Sequence, residues 1–368
     1  MGNPPVSDYA PPFDQAALDE AMAAGARFMA DLSRAMVTLS CALGDRLGLF
    51  AALADGAGHS AEEIAARAGV DARYVREWAR TLTAGGYLET DPAGHEFRLP
   101  APYALLLGDP ASPFYVGGIA RLVPPLAAMT DRVAECFRSG AGLAPGDYPP
   151  EMYEAMWRMS AKWLRAMLLE QWLPLVPGLG ERLAAGARVA HLACGSGTAL
   201  ALLAQRYPAS RFEGVDRHEL NVERARREAA DLGVSDRVTI TRTSGFADGL
   251  SGPYELVMAF DSLHLAADPA EVLRQVAVAL APTGVLLLLE THCSADPGEN
   301  VGDVPAFLYG TSTLYSVPLS RTGPRVAGML GLPYPVLAGM CAGAGLAAPR
   351  QIAAPTPFNV LYEIRKAS

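Results

Sequence analysis

The chain has 368 residues, of which 51% are hydrophobic and 19% are charged, and its formal net charge is −9. This composition supplies enough apolar residues for the cores of two or three domains, which excludes a wholly disordered chain. The acidic balance argues against a nucleic-acid partner, because binding phosphates needs a basic surface.

Membrane, secreted and metal-binding proteins are also disfavoured by the sequence. No apolar run reaches the roughly 18 residues that span a bilayer. The N-terminal segment lacks the basic stretch followed by an apolar one that marks a secretion signal. The five cysteines are widely spaced and form no Cys-x-x-Cys pair, so we expect reduced thiols and no zinc site. We therefore expect a cytoplasmic protein with no membrane partner and no bound metal.

The first third of the chain is predicted to be mostly helical. Residues 1–15 are rich in proline and predict a flexible tail. In the segment that follows, Ser60 and Glu63 have the spacing of a capping box at the start of a short helix. A second helix is predicted from Asp71 to Gly85, and a hairpin follows it. Helix, turn, helix and hairpin predict a winged-helix-like domain over residues 16–105.

Two roles are open for that winged-helix-like domain. Arg73, Arg76 and Arg80 would lie on its second helix, where a DNA-binding protein contacts DNA. We favour a structural or dimerising role, because these arginines alternate with acidic residues rather than forming a basic stripe. The apolar N-terminal helices favour a homodimer.

Residues 106–180 predict a helical linker that covers an active site. Their last part, residues 149–179, reads as one long helix that is apolar nearly all round and ends at prolines. Glu170 is a lone acid in this apolar stretch. A buried carboxylate needs a partner or a task. Glu170 therefore predicts either a salt bridge to Arg165 or Arg182, or a base that reaches the active site.

Residues 181–368 show a different pattern, in which short β-rich runs alternate with helical stretches. This alternation predicts an α/β domain with a doubly wound parallel sheet and helices on both faces. The last segment predicts a closing antiparallel pair of strands. Residues 296–340 interrupt the pattern and are rich in glycine, proline and aromatic residues, which is typical of a lid over an apolar ligand.

The stretch 189–200, "VAHLACGSGTAL", predicts a strand, a loop of very small residues and a helix. In a doubly wound sheet, a nucleotide-like ligand lies against such a loop and the following helix. Gly195 and Gly197 permit close approach of that ligand to the backbone. Asp216 ends the next strand about 20 residues further on, where a carboxylate accepts hydrogen bonds from ribose hydroxyls. The pattern therefore predicts an adenosine-containing cofactor.

The loop lacks the third glycine of a dinucleotide site and instead resembles the E/D-x-G-x-G-x-G motif of class I S-adenosylmethionine-dependent methyltransferases. The resemblance continues in "GVD", in "YELVMAFDSLHLAADPAEVL" and in "LAPTGVLLLLE". With the winged-helix-like domain in front, the chain is similar to bacterial small-molecule methyltransferases of secondary metabolism. This resemblance implies a Rossmann-like seven-stranded sheet, S-adenosylmethionine as cofactor and S-adenosylhomocysteine as product.

The resemblance also implies which residues contact the cofactor. They are His191, Ala193, Cys194, Gly195, Gly197, Asp216, Arg217, Ser244, Gly245, Phe246, Phe260 and Asp261. His191 stands where the family usually has an acid that helps to hold the amino end of the cofactor, and Ala193 replaces its first glycine. Either His191 is a tolerated replacement, or cofactor use is altered. The family's Asp for the adenine amino group is also missing, and Phe246 is predicted to pack on the adenine.

Catalysis of methyl transfer is mainly positioning, with a general base where the nucleophile carries a proton. His264 and His292 follow neighbouring strands at the carboxyl edge of the predicted sheet, where chemistry takes place in such folds. We expect one of them, or Glu170, to be that base, and the resemblance supports His264. Aromatic residues are predicted to line the acceptor site, and these are Tyr153, Trp157, Phe307, Tyr309 and Tyr315.

The sequence therefore predicts a methyltransferase that acts on O, N or C of a small natural-product-like acceptor. Two alternatives stay open. One is a protein of the same fold that uses the bound sulfonium for a rearrangement or cyclisation without methyl transfer. The other is a winged-helix regulator with a methyltransferase-like ligand domain.

Overall fold

The computed structural model describes residues 14–110, 112, 114–321, 326–356 and 358–367. The chain divides into two compact units, with the division between Val123 and Pro124. The predicted tail, residues 1–15, lies outside the described residues except at its end. There Asp14 caps the first helix by accepting a hydrogen bond from the amide of Ala17 at 2.7 Å.

The first unit is mainly helical. Its elements are α1 Gln15–Leu47, α2 Leu49–Ala52, β1 His59–Ser60, α3 Ala61–Ala68, α4 Ala72–Ala84, β2 Glu89–Thr90, β3 Glu96–Arg98, α5 Ala101–Tyr103 with the π-helical turn Ala104–Gly108, and α6 Gly117–Ala120. The three strands pair antiparallel in the order β1-β3-β2. A helix pair followed by a hairpin confirms the predicted winged-helix domain.

Local capping explains where the helices of this winged-helix domain begin. Ser60 and Glu63 form the predicted capping box, in which each residue's side chain accepts a hydrogen bond from the backbone N–H of the other. The Asp71 carboxylate caps α4. Phe50 and Trp78 pack edge to face at 5.4 Å in the core beneath these helices.

The arginines on α4 are neutralised by neighbouring acids. Arg73 lies 2.7 Å from Glu77, and Arg80 also contacts Glu77 at 3.4 Å. Arg76 pairs with Glu62 of α3. The helix that would enter a DNA groove therefore presents ion pairs rather than a free basic stripe.

The second unit contains a seven-stranded sheet and its helices. The helices are α7 Val123–Ala127, α8 Thr130–Ser139, α9 Pro150–Met167, α10 Leu179–Ala185, α11 Thr198–Arg206, α12 Glu219–Asp231, α13 Pro269–Ala279, α14 Asp303–Thr311, α15 Val317–Ser320 and α16 Tyr334–Gly343. The strands are β4 Arg188–Leu192, β5 Arg211–Asp216, β6 Val238–Arg242, β7 Tyr254–Phe260, β8 Leu280–Thr291, β9 Arg350–Thr356 and β10 Asn359–Arg365.

Shorter helical turns connect these elements. The 3₁₀ turns are Pro145–Asp147, Leu173–Leu175, Leu263–Leu265 and Pro297–Glu299, and the π-helical turns are Leu168–Trp172 and Ser312–Ser316. The predicted single helix over 149–179 is wrong, because α9 ends at Met167 and passes into a π-helical turn and then a 3₁₀ turn. Pro174 lies in that 3₁₀ turn and has no N–H with which to continue the α-helix.

The sheet has the order β6-β5-β4-β7-β8-β10-β9, with β6 to β8 parallel and β10 antiparallel to both of its neighbours. This confirms the predicted Rossmann-like doubly wound sheet of seven strands and its closing antiparallel pair. The chain runs outward from β4 to β6, then returns to β7 on the other side of β4. The reversal of strand order therefore lies between β4 and β7, which is where ligands bind in folds of this kind.

Both faces of the sheet are covered by apolar layers. One layer joins α11, α12 and the turn Leu168–Trp172 to side chains such as Val189 and Met258. The other joins α13 and α16 to side chains such as Val257 and Leu286. The predicted lid, residues 296–340, is largely helical where it is described and contains α14, α15 and the start of α16. Among the described helices, none is long and apolar enough to cross a membrane.

Candidate active site

The small-residue loop after β4 has the backbone that a close ligand contact requires. Ala193, Gly195 and Gly197 all have positive φ, at 47°, 54° and 72°. A Cβ added to Gly197 would lie 2.6 Å from the Cβ of Ala225, so this glycine lets α11 approach α12. A Cβ added to Gly195 would meet nothing within 4 Å. Gly195 therefore faces open space, as expected of a residue against which a ligand lies.

Asp216 ends β5 beside this loop and is buried. Its carboxylate accepts hydrogen bonds from the amides of Gly195 and His218 at 3.0 and 2.9 Å, and from the Asn221 side chain at 3.0 Å. A carboxylate offers about four lone-pair sites, so roughly one stays available to a ribose hydroxyl. Burial raises the pKa of Asp216, although its three hydrogen-bond donors oppose that rise.

Aromatic residues of α9 surround the same carboxylate. The indole N–H of Trp157 donates to the Asn221 side-chain oxygen at 2.9 Å, which links Trp157 to Asp216. The Tyr153 ring lies 4.2 Å from that of His218, and its hydroxyl donates to the carbonyl of Pro145. Both residues therefore lie on the Asp216 side of the site, and their role in acceptor binding stays a prediction.

Tyr315 belongs to this aromatic group as well. It is buried, and its ring meets that of Tyr148 edge to face at 5.1 Å. Burial raises the pKa of Tyr315, and the Asp216 carboxylate raises it further. A hydrogen bond to Tyr153 opposes the rise. Tyr315 thus places the lid segment on the Asp216 side of the site.

Phe246, in the segment after β6, lies near Arg217, which follows β5. Phe246 is buried there, and the Arg217 guanidinium lies 5.8 Å from its ring centre. Asp248 organises the loop, because its carboxylate accepts from the Ser244 hydroxyl at 2.8 Å and from the Gly245 amide at 2.6 Å. Sequence reasoning missed Asp248, although it is the first acid after the place where the family has its adenine-binding Asp.

His191 lies at the end of β4 and is only 4% exposed. Neither ring nitrogen has a hydrogen-bond partner within the described part of the chain. Burial lowers its pKa to about 3, so the imidazole is neutral at physiological pH. Its ring packs edge to face on Phe260, at 5.1 Å between ring centres. His191 therefore supplies hydrogen-bonding capacity without charge.

His264 pairs with an acid that the sequence reasoning did not single out. Its Nδ1 lies 2.8 Å from Oε2 of Glu290, and its amide donates to Oε1 of the same carboxylate at 3.2 Å. Both residues are buried. Glu290 ends the apolar run "GVLLLLE", and a lone acid at the end of a buried strand was the signal that could have found it.

The pKa of His264 is raised above its ordinary value. Burial acts to lower it, but the Glu290 carboxylate, its hydrogen bond and the charge of Asp261 outweigh burial. Asp261 is solvent-exposed, has a positive φ of 46°, and accepts a hydrogen bond from the side chain of Asn359. The pairing of His264 with Glu290 thus favours the protonated imidazole.

The other two predicted bases have different surroundings. His292 is exposed, and its amide donates to the carbonyl of Phe358. Glu170 is exposed too, so the expectation of a buried carboxylate is wrong. The expectation that Glu170 forms a salt bridge to Arg165 or Arg182 is also wrong.

Both arginines that Glu170 was expected to meet are occupied elsewhere. Arg165 pairs with Glu228 at 2.5 Å, and Arg182 pairs with Glu255 at 3.4 Å. The sequence misled because the apolar neighbours of Glu170 lie around a helical turn whose one face is open.

The predicted lid segment lies near the His264–Glu290 pair, because α15 packs against the turn Leu263–Leu265. On α14, Phe307 is 40% exposed and Tyr309 is 39% exposed. Their role in acceptor binding stays a prediction.

The site fits an adenosine cofactor with an amino-acid end. Asp216 retains an acceptor site, Gly195 leaves open space, and Phe246 offers an aromatic face. The unpartnered nitrogens of His191 add buried polar atoms near the same loop. Among the described residues, no group of three or more His, Cys, Asp or Glu is arranged to hold a metal ion.

Family models match two parts of the chain. Residues 35–108 match the model of the Rv2258c-like winged HTH domain, and residues 190–286 match a model described as a methyltransferase domain. No curated protein matches the sequence.

Solved structures match nearly the whole chain at low identity. The mitomycin 7-O-methyltransferase MmcR has a TM-score of 0.65 at 20% identity, covering 95% of this chain and 100% of that one. NcsB1, an O-methyltransferase from neocarzinostatin biosynthesis solved with S-adenosylmethionine and 2-hydroxy-5-methyl naphthoic acid, has a TM-score of 0.63 at 20% identity, covering 92% and 97%. Human N-acetylserotonin methyltransferase has a TM-score of 0.63 at 17% identity, and the match covers 98% of this chain and 100% of that one. These likenesses establish the fold.

Proposed function

We propose that this chain, which carries a winged-helix domain and a methyltransferase domain, transfers a methyl group from S-adenosylmethionine to a hydroxyl oxygen of a small aromatic acceptor. The observation that carries the proposal is the position of two functional groups on one sheet edge. Asp216 with the open loop lies on one side of the strand reversal, and the His264–Glu290 dyad lies on the other. A cofactor held by the first group would present its reactive end toward the second.

The geometry supports an assignment of the residues that would hold the cofactor. Asp216 would accept from the ribose, Gly195 would permit close backbone approach, and Phe246 with Arg217 would enclose the adenine. The Trp157–Asn221 pair would hold the Asp216 carboxylate in place. The bound cofactor supplies a methyl group that is already activated by its sulfonium.

The dyad supplies the remaining chemistry, which is removal of the proton from the acceptor hydroxyl. With Nδ1 bound to Glu290, the Nε2 lone pair of His264 is left to accept that proton. Glu290 then stabilises the imidazolium that forms. A base of this kind favours an acceptor that carries an acidic proton, such as a phenolic hydroxyl, over carbon.

The acceptor class is supported by the lid. Phe307 and Tyr309 present half-exposed aromatic faces on α14, and such faces suit a flat apolar ring. NcsB1 was solved with a naphthoic acid and MmcR is a mitomycin 7-O-methyltransferase. We therefore expect a bicyclic or larger hydroxylated natural-product-like molecule.

The winged-helix domain would contribute to dimerisation rather than to DNA binding. The arginines of α4 are paired with Glu62 and Glu77, which leaves little free positive charge for phosphates. The chain's net charge of −9 also disfavours binding to DNA phosphates. We expect no shift of random duplex DNA in a gel at low salt.

The proposal is tested by incubating the protein and S-adenosylmethionine with a panel of hydroxylated naphthoic acids and related phenols. Mass spectrometry should detect a product one methylene unit heavier than the acceptor, together with S-adenosylhomocysteine. Methoxy analogues, whose oxygen is already blocked, serve as matched controls and should not react. A product isomeric with its substrate would instead favour rearrangement without methyl transfer.

A further inference from the structure

Three arginines lie side by side at the amino ends of neighbouring strands. Arg188 begins β4 and is the register partner of Arg211, which begins β5. Arg237 directly precedes β6, and its carbonyl accepts a hydrogen bond at 2.9 Å from the amide of Phe212, the residue after Arg211. The three arginines therefore occupy consecutive places of one cross-strand row. Like charges that face one another across strands are destabilising, so this row needs an explanation.

A cavity of about 340 Å³ lies against this arginine row. All three arginines line it, together with Thr239 and Thr241 of the edge strand β6. Its volume lies within the range of small-molecule sites, which begins at about 300 Å³. Both threonines are exposed, and each hydroxyl can donate a hydrogen bond. The cavity thus combines positive charge with neutral donors, which is the chemistry that an anion requires.

The acidic residues that line the same cavity already have donors. Glu213 accepts a hydrogen bond from Arg188 at 2.7 Å. Asp248 organises the loop after β6 with its carboxylate. Asp236 pairs with one terminal nitrogen of Arg237 at 3.0 Å. These acids therefore compensate two of the three arginines and leave the third without a counter-charge among them.

Unused donors remain on two neighbouring guanidinium groups. Arg211 is exposed, and its side chain has no hydrogen bond or ion pair within the part of the chain that the structure describes. The Nε atom of Arg237 is buried and has no partner among the described residues either. Buried donors in proteins are nearly always paired. A guanidinium group is always charged, and its planar donors match the oxygens of phosphate and carboxylate groups.

We propose that this cavity binds a phosphate group, at a site separate from the one that carries out methyl transfer. The phosphate oxygens would accept hydrogen bonds from Arg211, from Arg237 and from the hydroxyl of Thr239. The bound anion would relieve the repulsion within the arginine row and satisfy the unpartnered Nε atom. The cavity has room for a phosphate carried on a small organic molecule as well as for a free polyphosphate, and both sources present the same group.

The location of the cavity makes this inference independent of the proposed function. Arg211 begins β5, whereas Asp216 ends the same strand at the opposite edge of the sheet. A failure to bind phosphate would therefore leave the methyl-transfer proposal intact. A failure to bind S-adenosylmethionine would likewise leave the phosphate site intact.

The test is calorimetric titration of the full chain with two probes, pyrophosphate and phenyl phosphate. Wild type should bind at least one of them at one site per chain. In Arg211→Gln the Kd should rise at least about tenfold, which is the loss of a hydrogen bond between charged groups. Arg274→Gln is the matched control, because Arg274 is an exposed arginine of α13 that pairs with Glu271. Its Kd should stay within twofold of the wild-type value.

The two probes distinguish the source of the phosphate. Tighter binding of phenyl phosphate would assign the cavity to a phosphate ester, and tighter binding of pyrophosphate would assign it to a free polyphosphate. Wild-type protein that binds neither probe would overturn the inference. Equal affinities in wild type, Arg211→Gln and Arg274→Gln would overturn it too, because the anion would then bind the surface without a defined site.

A measurement on the wild-type protein keeps the inference testable if Arg211→Gln does not fold. With ¹⁵N-labelled arginine, the bound probe should shift the Nε–H resonance of Arg237, which Arg237→Gln identifies by its disappearance. The Nε–H resonance of Arg274 should stay in place. A probe that leaves the Arg237 resonance unshifted does not bind in this cavity, and the inference would be wrong.

Discussion

The Nδ1 atom of His264 lies 2.8 Å from Oε2 of Glu290, within a buried pair that joins the segment after β7 to the end of β8. These two strands are parallel neighbours in the sheet, so their carboxyl ends bring the two residues to one edge. The carboxylate fixes the orientation of the imidazole and the nitrogen that carries its proton. This arrangement supports the proposed role of His264 as a general base that Glu290 positions.

Replacing His264 should remove the base and leave cofactor binding intact. For His264→Ala we expect kcat with a phenolic acceptor to fall about 10²- to 10⁴-fold, the usual contribution of general-base catalysis. The Kd for S-adenosylhomocysteine should stay within twofold. Steady-state kinetics and calorimetry measure the two quantities, and His95→Ala in the exposed hairpin is the control.

The same kinetic comparison decides the role of His292. The exposed position of His292 predicts that His292→Ala changes kcat only slightly. A loss equal to that of His264→Ala would show that the base assignment to His264 alone is wrong.

The pH dependence of kcat should report the dyad. Because the pKa of His264 is raised, the imidazole is protonated up to a pH above its ordinary value of about 6.5, and activity should rise only above that pH. In Glu290→Gln, the carboxylate that raises the pKa of His264 against the effect of burial is gone. The acidic limb of the pH–kcat profile should therefore move to lower pH, and kcat on the plateau should fall. An acidic limb that does not move in Glu290→Gln would contradict the assignment.

The dyad should also stabilise the fold in a defined pH range. The pKa of His264 is higher in the folded than in the unfolded state, so its contribution to the free energy of unfolding is complete below about pH 6.5. That contribution is lost as the pH rises through the folded pKa. Thermal melting of wild type and Glu290→Gln should therefore differ most at acidic pH.

Alanine substitutions at two glycines of the loop after β4 should have different effects, one on the free energy of unfolding and the other on cofactor binding. Gly197→Ala would place a Cβ 2.6 Å from that of Ala225 at a φ of +72°, and should cost at least about 2 kcal/mol of stability. Gly195→Ala meets open space and should cost only about 1 kcal/mol for its positive φ. Its methyl group should nevertheless weaken S-adenosylhomocysteine binding at least tenfold.

Denaturant unfolding and calorimetry measure this contrast, and Ala193 shows that an alanine at positive φ is tolerated in the same loop. Full cofactor affinity in Gly195→Ala would mean that the ligand does not lie against this residue.

The N-terminal helix should mediate a homodimer. Exposed apolar residues recur along one side of α1 at spacings near three, four and seven, and they are Leu18, Met22, Met29, Leu32, Met36 and Leu43. A continuous exposed stripe of this kind marks an interaction surface. Light scattering should give a dimer for the wild type and a monomer for Met29→Glu. Arg27→Glu, on the opposite side of α1, should remain a dimer, and a wild-type monomer would contradict the proposal.

The elements that the sequence predicted are those set by local patterns. The capping box of Ser60 and Glu63 and the strand–loop–helix around Gly195 depend on residues close in sequence. For the same reason Asp216 was predicted at the right place, since strand ends follow from hydrophobic runs and turns.

Contacts between distant segments were not predictable from periodicity. Glu290 pairs with a histidine 26 residues earlier, and Trp157 reaches Asn221 across 64 residues. The exposure of Glu170 depends on which face of a π-helical turn is covered, and apolar neighbours in the sequence do not reveal it. These contacts follow from the order of the strands and the path of α9.

Calorimetric titration with S-adenosylmethionine and S-adenosylhomocysteine is the sharpest test of a cofactor site built on Asp216. Wild type should bind both ligands. Asp216→Ala and the closer isostere Asp216→Asn should weaken binding by roughly tenfold or more, the loss of a hydrogen bond to a charged group. Asp236→Ala, at an exposed aspartate, should bind like wild type. Folded wild-type protein that binds neither ligand, or Asp216 variants that bind both as tightly as wild type, would show that Asp216 does not form a cofactor site.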